Sequence, residues 1–332
     1  MDQFTAHLDR GWDLVSRGDY AGALISAQKS LELDAESPEA HNLLGFIHQA
    51  EGRAEDALDH YRQAIAIDET YVEAMLNAAE VLIHSLRDLD NGLAMVDEAL
   101  DFAEGDDEVA DGLLLRFDAI MQQGDRDGAA AVAAKLPAGP FENAQLDFMI
   151  GRAKFETGDL DGAEKHLELA VKREGQSGDA FYYQGLVREA RGDLRGATLA
   201  FLQAREADLN APKPPWSLSA VNFERRVQNA VRKLPTALAE TIDGALVVVS
   251  DIPGPEVVAE GVDPHIGVLI DDLQDAGGQP VAVEGQAERA GRVFVYQRNV
   301  ERWADNASEL EDEILKTLEH ELSVTFPQLA PK

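Results

Sequence analysis

Along the first two thirds of the chain, hydrophobic positions recur at helical spacing in short blocks, and a glycine interrupts each block before the pattern resumes. The stretch Gly151 to Ala170, GRAKFETGDLDGAEKHLELA, shows this most clearly. It predicts two short helices that fold back on each other at Gly158-Asp159. Glycine opens the tight turn, Ala163 lets the second helix press against the first, and Ala170 repeats the small contact farther along. A hairpin of this kind has apolar surface on both sides and cannot bury it alone, so the pattern predicts stacked neighbours of the same type.

The neighbours are present. Gly11, Gly45, Gly151 and Gly185 share one position in the first helix, and Gly18, Gly52, Gly124, Gly158 and Gly192 share the turn. Ala23, Ala57, Ala129, Ala163 and Ala197 each follow the turn by five residues, and within the first and last pairs of units the repeat length is 34. A third unit, about 72–105, is worn, with Arg87-Asp88 in place of the turn glycine and Gly92 in place of the alanine. A fourth, 110–137, keeps QQGDRDGAA but has Phe117 where the first-helix glycine belongs. Together with Tyr20, Tyr61 and Phe201, these positions resemble the tetratricopeptide repeat family over residues 1–210. The resemblance implies a mostly α fold: a solenoid of about six helix-turn-helix units whose concave face, lined by the first helices, binds a protein or peptide segment.

In that register the concave face takes Leu8, Trp12 and Val15 from unit one and Asn42, Phe46 and Gln49 from unit two. Unit three adds Leu76, Glu80 and Ile83, unit five Phe148, Arg152 and Phe155, and unit six Tyr182, Leu186 and Glu189. Such a groove is apolar and aromatic with few cations, and it suits an amphipathic helix or an extended apolar segment. The paired Lys and Asn with which some relatives grip a C-terminal carboxylate do not occur here. Trp12, Phe46, Phe148, Arg152, Phe155 and Tyr182 are the candidate binding residues. The alternative for the aromatic ones is packing between repeats.

Residues 208–217, DLNAPKPPWS, end the array, because three closely spaced prolines favour an extended connector, placed at 211–217. Beyond it the pattern predicts an amphipathic helix from Leu218 to Leu234 and a strand from Ala245 to Ser250. Two further strands follow, Ile266 to Ile270 and Arg292 to Gln297, separated by a loop rich in Gly, Asp and Gln. A last helix runs from about Ser308 to about Thr325. This is a small α/β domain over 218–332. The ordered segments FERRVQNAVRKLP, VVVSDIPGP, FVYQRNVER and a long helix ending in His320-Glu321 are similar to the minimal zincin-like metallopeptidase family.

That family's signature, H-E-x-x-H-x-x-G-x-x-D, implies that two histidines and an aspartate hold zinc while the glutamate serves as general base. Here His320 and Glu321 match the first ligand and the base. Val324, Pro327 and Ala330 stand at the second ligand, the glycine and the third ligand. Valine and alanine have no lone pair to offer a metal, and one imidazole cannot hold catalytic zinc. The expectation is a degenerate zincin without metal, cofactor or catalytic residue. The alternative is a zinc metallopeptidase with a rearranged site around His320, Glu321 and His265. A third reading is autoregulation, with the C-terminal domain or the connector, including Trp216, lying in the repeat groove.

Composition narrows these options. A chain of 332 residues has room for about two domains, and 45% hydrophobic with 27% charged residues is the balance of a folded protein. The formal net charge of −33 repels phosphate backbones and argues against a nucleic-acid partner. It reflects either a heavily solvated surface, as a saline habitat would favour, or a basic partner. There is no cysteine, so disulfides and thiolate metal sites are excluded. The opening MDQFTAHLDRGWD lacks the pattern of a signal peptide, and no apolar run, Ala245 to Val249 included, is long enough to span a membrane. The expected compartment is therefore the cytoplasm.

Overall fold

The computed structural model describes residues 2–174, 177–272 and 290–327, and by its contacts the chain divides into two compact units, Met1–Gly175 and Gln176–Lys332. The Gly-, Asp- and Gln-rich stretch expected before the third strand lies outside the described residues, as does Ala330.

The first unit is a helical solenoid of hairpins: α1 (Gln3–Ser16) with α2 (Tyr20–Leu33), α3 (Pro38–Ala50) with α4 (Ala54–Ile67), and α5 (Val72–Glu80) with α6 (Leu89–Phe102). They continue as α7 (Asp106–Gln122) with α8 (Arg126–Ala133), and α9 (Ala144–Glu156) with α10 (Leu160–Glu174). The second helix of each hairpin packs on the first helix of the next.

Two local devices shape the hairpins. The turn residue sits in the left-handed region, with φ of 74° to 85° at Gly18, Gly52, Gly124 and Gly158, and the worn unit places Arg87 there at 57°. The next residue is usually an aspartate that caps the second helix. Asp19, Asp125 and Asp159 each accept the amide N–H three residues on at 2.9 Å, and Asp88 does so at 3.3 Å. In unit two Arg53 stands at this place and makes no such cap.

The turn of the worn unit, at Arg87, lies 35 positions after Gly52, one more than the repeat length. The extra residue is absorbed by a π-helical turn, Val81–Ser85, at the end of α5. This shifts the helix phase by one, and Ile83, expected in the groove, is instead fully buried against Gly92.

The second unit begins with one more hairpin, α11 (Gly178–Ala190) and α12 (Leu194–Asn210), which repeats both devices at Gly192 and Asp193. It continues through α13 (Ala220–Lys233), α14 (Thr236–Ala239), β1 (Leu246–Ser250), α15 (Pro255–Ala259), β2 (Val268–Asp272), β3 (Ala290–Tyr296), α16 (Gln297–Glu301) and α17 (Leu310–Thr325). The sheet order is β1-β3-β2, with β1 parallel and β2 antiparallel to the central strand. Alternation places Val247, Val249, Val268, Val293 and Val295 on one face, in a common core with Phe223 and Val227 of α13 and Ile314, Leu318 and Leu322 of α17. Trp216 of the connector packs on this same core.

Polar contacts join α11 and α12 to the rest of the unit. Arg302 donates to Asp179 at 2.8 Å and to Asp208 at 2.7 Å, and His265 Nε2 lies 2.8 Å from the other oxygen of Asp208. Arg298 donates to the carbonyls of Asp208 and Ala211, both at 2.8 Å, and Arg205 to that of Pro253 at 2.6 Å. No residue of α11 or α12 enters the apolar core built around Phe223.

Two outcomes follow from this packing. A Cβ on Gly45 would lie 2.5 Å from Cε1 of the buried Tyr61 ring, so Gly45→Val should cost about 1–3 kcal/mol through overpacking, measured by urea unfolding followed at 222 nm. Arg302→Ala should destabilise the second unit by about 1–3 kcal/mol, since it leaves Asp208 and Asp179 without their charge-assisted donor. In that variant, hydrogen exchange should rise in α11 and α12 while α1 and α2 stay unchanged.

Candidate functional sites

In the first unit the first helices stand side by side, so equivalent positions form ladders across the concave face. Asn77 donates to Asn42 at 3.0 Å, and Asn42 donates to Tyr71 at 3.2 Å and to Glu73 at 3.0 Å. One helical turn farther on, Arg152 of α9 donates to Asp118 of α7 at 2.9 Å, with His84 at 3.6 Å from the same carboxylate. Arg152 is therefore engaged within the groove wall.

Between α5, the π turn, α7 and α9 lies a cavity of about 550 Å³. Leu76, Leu114, Leu115 and Met149 supply its apolar surface, and Glu73, Glu80, Glu108, Asp111 and Asp118 supply carboxylates. The apolar part is aliphatic rather than aromatic, and the acidic character is stronger than the register placement of groove residues indicated. Burial, reinforced by Asp107, Glu80 and Glu108, pushes the Asp111 carboxyl up to about 6. Burial also raises Asp118, against the opposing pull of Arg152 and His84.

Other predicted contact residues take different places. Trp12 and Phe46 meet edge to face at 5.5 Å and are both half-buried. Phe148 and Phe155 are half-buried on α9. None of these four lines the cavity. Tyr182 faces the chain's own loop in the second unit, donating its hydroxyl proton to Asp263 at 2.9 Å and stacking on His265 with ring centres 4.0 Å apart.

Sequence reasoning missed Leu114 and Asp118. Counted back from the Gly124 turn, they hold the positions that Leu8 and Trp12 hold relative to Gly18. Phe117 stands at the glycine position of that register, but no groove position was read from the unit. Asp111 carried no comparable signal.

The second candidate is the C-terminal part of α17. His320 is exposed, Glu321 is half-buried, and Val324, one turn beyond His320, is 62% exposed. Burial raises the Glu321 carboxyl, with His320 opposing it. The ring of His265 is committed to Asp208, with Arg302 against it. Zinc does not fit this set. Val324 brings no donor, and among the described residues no group of three or more His, Asp or Glu side chains is placed to hold a metal.

Comparison with known proteins finds two kinds of family match. Tetratricopeptide repeat family models match residues 38–71 and 148–212, and the zincin-like metallopeptidase model matches 242–326. A TPR repeat-containing protein of Pseudomonas aeruginosa is 33% identical over 69 residues, which cover 21% of this chain and 66% of the relative. The chain thus spans just under two thirds of that relative's length. Among solved structures, Pseudomonas aeruginosa PilF superposes with a TM-score of 0.52 at 17% identity, covering 63% of this chain and 93% of PilF. PilW, a widely conserved type IV pilus biogenesis factor, gives 0.52 at 19% identity, covering 63% and 94%. At these identities the likeness is one of fold. Repeat register, hairpin geometry and family matches thus converge: the chain carries tetratricopeptide repeats, followed by a region that matches the zincin-like metallopeptidase model.

Proposed function

We propose that this protein is a non-enzymatic scaffold whose repeat groove captures a segment of a protein partner, and that its zincin-like region keeps the fold without the peptidase reaction. The observation that carries the reading is the cavity of about 550 Å³ between α5, α7 and α9, with leucines and a methionine beside carboxylates. An apolar surface next to acidic side chains complements an amphipathic segment with Lys or Arg along one edge. Its apolar face would bury on Leu76, Leu114 and Met149, while its cations would meet Glu80, Glu108 and Asp111. The surrounding net charge of −33 raises the local concentration of such a segment and speeds its encounter.

The reading of the second unit rests on ligand chemistry. A catalytic zinc needs about three protein donors and an open position. The position one turn beyond His320 is a valine pointing to solvent. The match to the zincin-like model supports the alternative, a zinc peptidase with a rearranged site, and metal content separates the two.

A labelled amphipathic helical peptide bearing lysines on its polar edge should bind the full chain, and its glutamate-substituted counterpart should not. Affinity for the lysine peptide should fall at least tenfold in an Asp111→Lys, Leu114→Ala double variant, and also as salt rises from 50 to 500 mM, read by fluorescence anisotropy. Equal binding of both peptides, or affinity unchanged in the variant, would remove the groove from the account. Separately, elemental analysis of protein purified without chelator should find less than about 0.1 zinc per chain. One zinc per chain that disappears in His320→Ala would establish the peptidase reading instead.

A further inference from the structure

Away from the groove, the α3/α4 hairpin packs three histidines against one another. His41 and His48 lie on α3, both 8% exposed, and His60 reaches between them from α4. The Nδ1 atoms of His41 and His60 are 3.2 Å apart, so one ring donates and the other accepts. On the opposite side the rings of His48 and His60 lie nearly parallel, 3° apart in tilt with centres at 5.2 Å. The Nδ1 of His48 is buried and has no hydrogen-bond partner.

Neither ring pair tolerates two charged members. The His41–His60 contact needs an unprotonated Nδ1 on one side, and a proton there would set two donors facing at 3.2 Å. Stacked imidazoles repel once both carry charge. From these contacts we infer that the histidine stack makes the second repeat an acid-sensitive joint of the solenoid, loosening the α3/α4 packing as the rings take up protons. The joint is connected to the concave face, because α3 also carries Asn42, beside His41, and Phe46, two residues before His48.

The surrounding charges do not offset the effect. Burial lowers His60 to about 4, with His48 and His41 adding to the shift and Asp56 and Asp59 of α4 opposing it. Burial likewise lowers His48, where Arg53 adds to the effect and Asp56 and Glu51 oppose it. Burial lowers His41 too, against a backbone hydrogen bond at Ala35 in the loop after α2. On the α5 side, Tyr71 and Glu73 are occupied with Asn42. All three rings bind protons more weakly in the folded hairpin than in the unfolded chain, where histidine titrates near 6.5. The stability they contribute is thus complete above that value and is lost as pH falls from 6.5 toward 4.

Hydrogen exchange of the full chain at pH 7.5 and 5.0, corrected for intrinsic rates, tests the joint. Protection of 38–67, relative to α1 and α2 in the same molecule, should fall at least tenfold at the lower pH. His60→Phe, which fills the same space with a ring that cannot titrate, should abolish most of that fall. If His60→Phe loses helical content at pH 7.5, His48→Gln serves instead: it removes the stacked ring, keeps the His41–His60 bond, and should reduce the fall at least threefold. A protection ratio independent of pH in the wild-type chain, or an undiminished fall in the folded variant, would overturn the inference.

Discussion

The close approach of the two helices within each hairpin is the constraint on which the repeat array depends. It is met by pairing a very small residue on one helix with a large one on the other. Gly45 faces Tyr61, Gly151 faces Leu167, and Gly185 faces Phe201, each partner lying nine positions after its turn glycine. In the fourth unit the sizes are exchanged. Phe117 holds the first-helix position and Ala133 the second-helix one, and both are buried in one cluster. The total volume is preserved, so the hairpin keeps its spacing although it breaks the sequence pattern. The third unit solves the problem differently, through a π turn that carries Ile83 into the core beside Gly92 and Val96.

The electrostatics of the groove follow from the same stacking. First helices that stand side by side bring equivalent positions within hydrogen-bond reach, which is why Asn42 meets Asn77 and Asp118 meets Arg152. A chain with 62 acidic against 29 basic side chains has too few cations to complete every rung. Asp118 has Arg152 and His84 nearby, whereas the neighbours that act on Asp111 are Asp107, Glu80 and Glu108. The raised Asp111 carboxyl is the local expression of that shortage. A cation entering the cavity would relieve a repulsion already built into the free protein, which is the physical basis of the proposed amphipathic, positively charged partner.

Much of this was legible in the sequence, because hairpin geometry depends on single residues with strong local preferences. Turn glycines, following alanines and the strand-forming runs 245–250 and 292–297 each state a backbone or packing requirement directly. An aspartate follows four of the five turn glycines and caps the second helix there. What sequence could not provide was phase beyond an irregularity. One extra residue before Arg87 moved Ile83 inward and put His84 on the groove, and the size exchange at Phe117 left the groove positions of α7 unassigned. Contacts between residues far apart in the chain were also beyond reach. Nothing near Tyr182 announces that Asp263 and His265 lie against it, or that α11 and α12 group with the zincin-like region.

In the zincin-like region, the packed face of α17 is separate from its signature positions. The buried positions of α17, Leu310, Ile314, Leu318 and Leu322, recur every four residues and hold the helix on the sheet. Near its start, Glu311 ties α17 to α13 by accepting from Lys233 at 2.7 Å and from Arg226 and Asn229 at 3.2 Å. The Lys233 ammonium, with those two donors, holds the Glu311 carboxyl down to about 2. His320 and Val324 lie off the packed face, toward solvent. The residue at position 324 therefore carries little packing duty, and its identity can vary while the contacts that stabilise the helix stay intact. Because the packed face and positions 320 and 324 occupy different sides of one helix, the fold places no requirement on which side chains stand at those two positions.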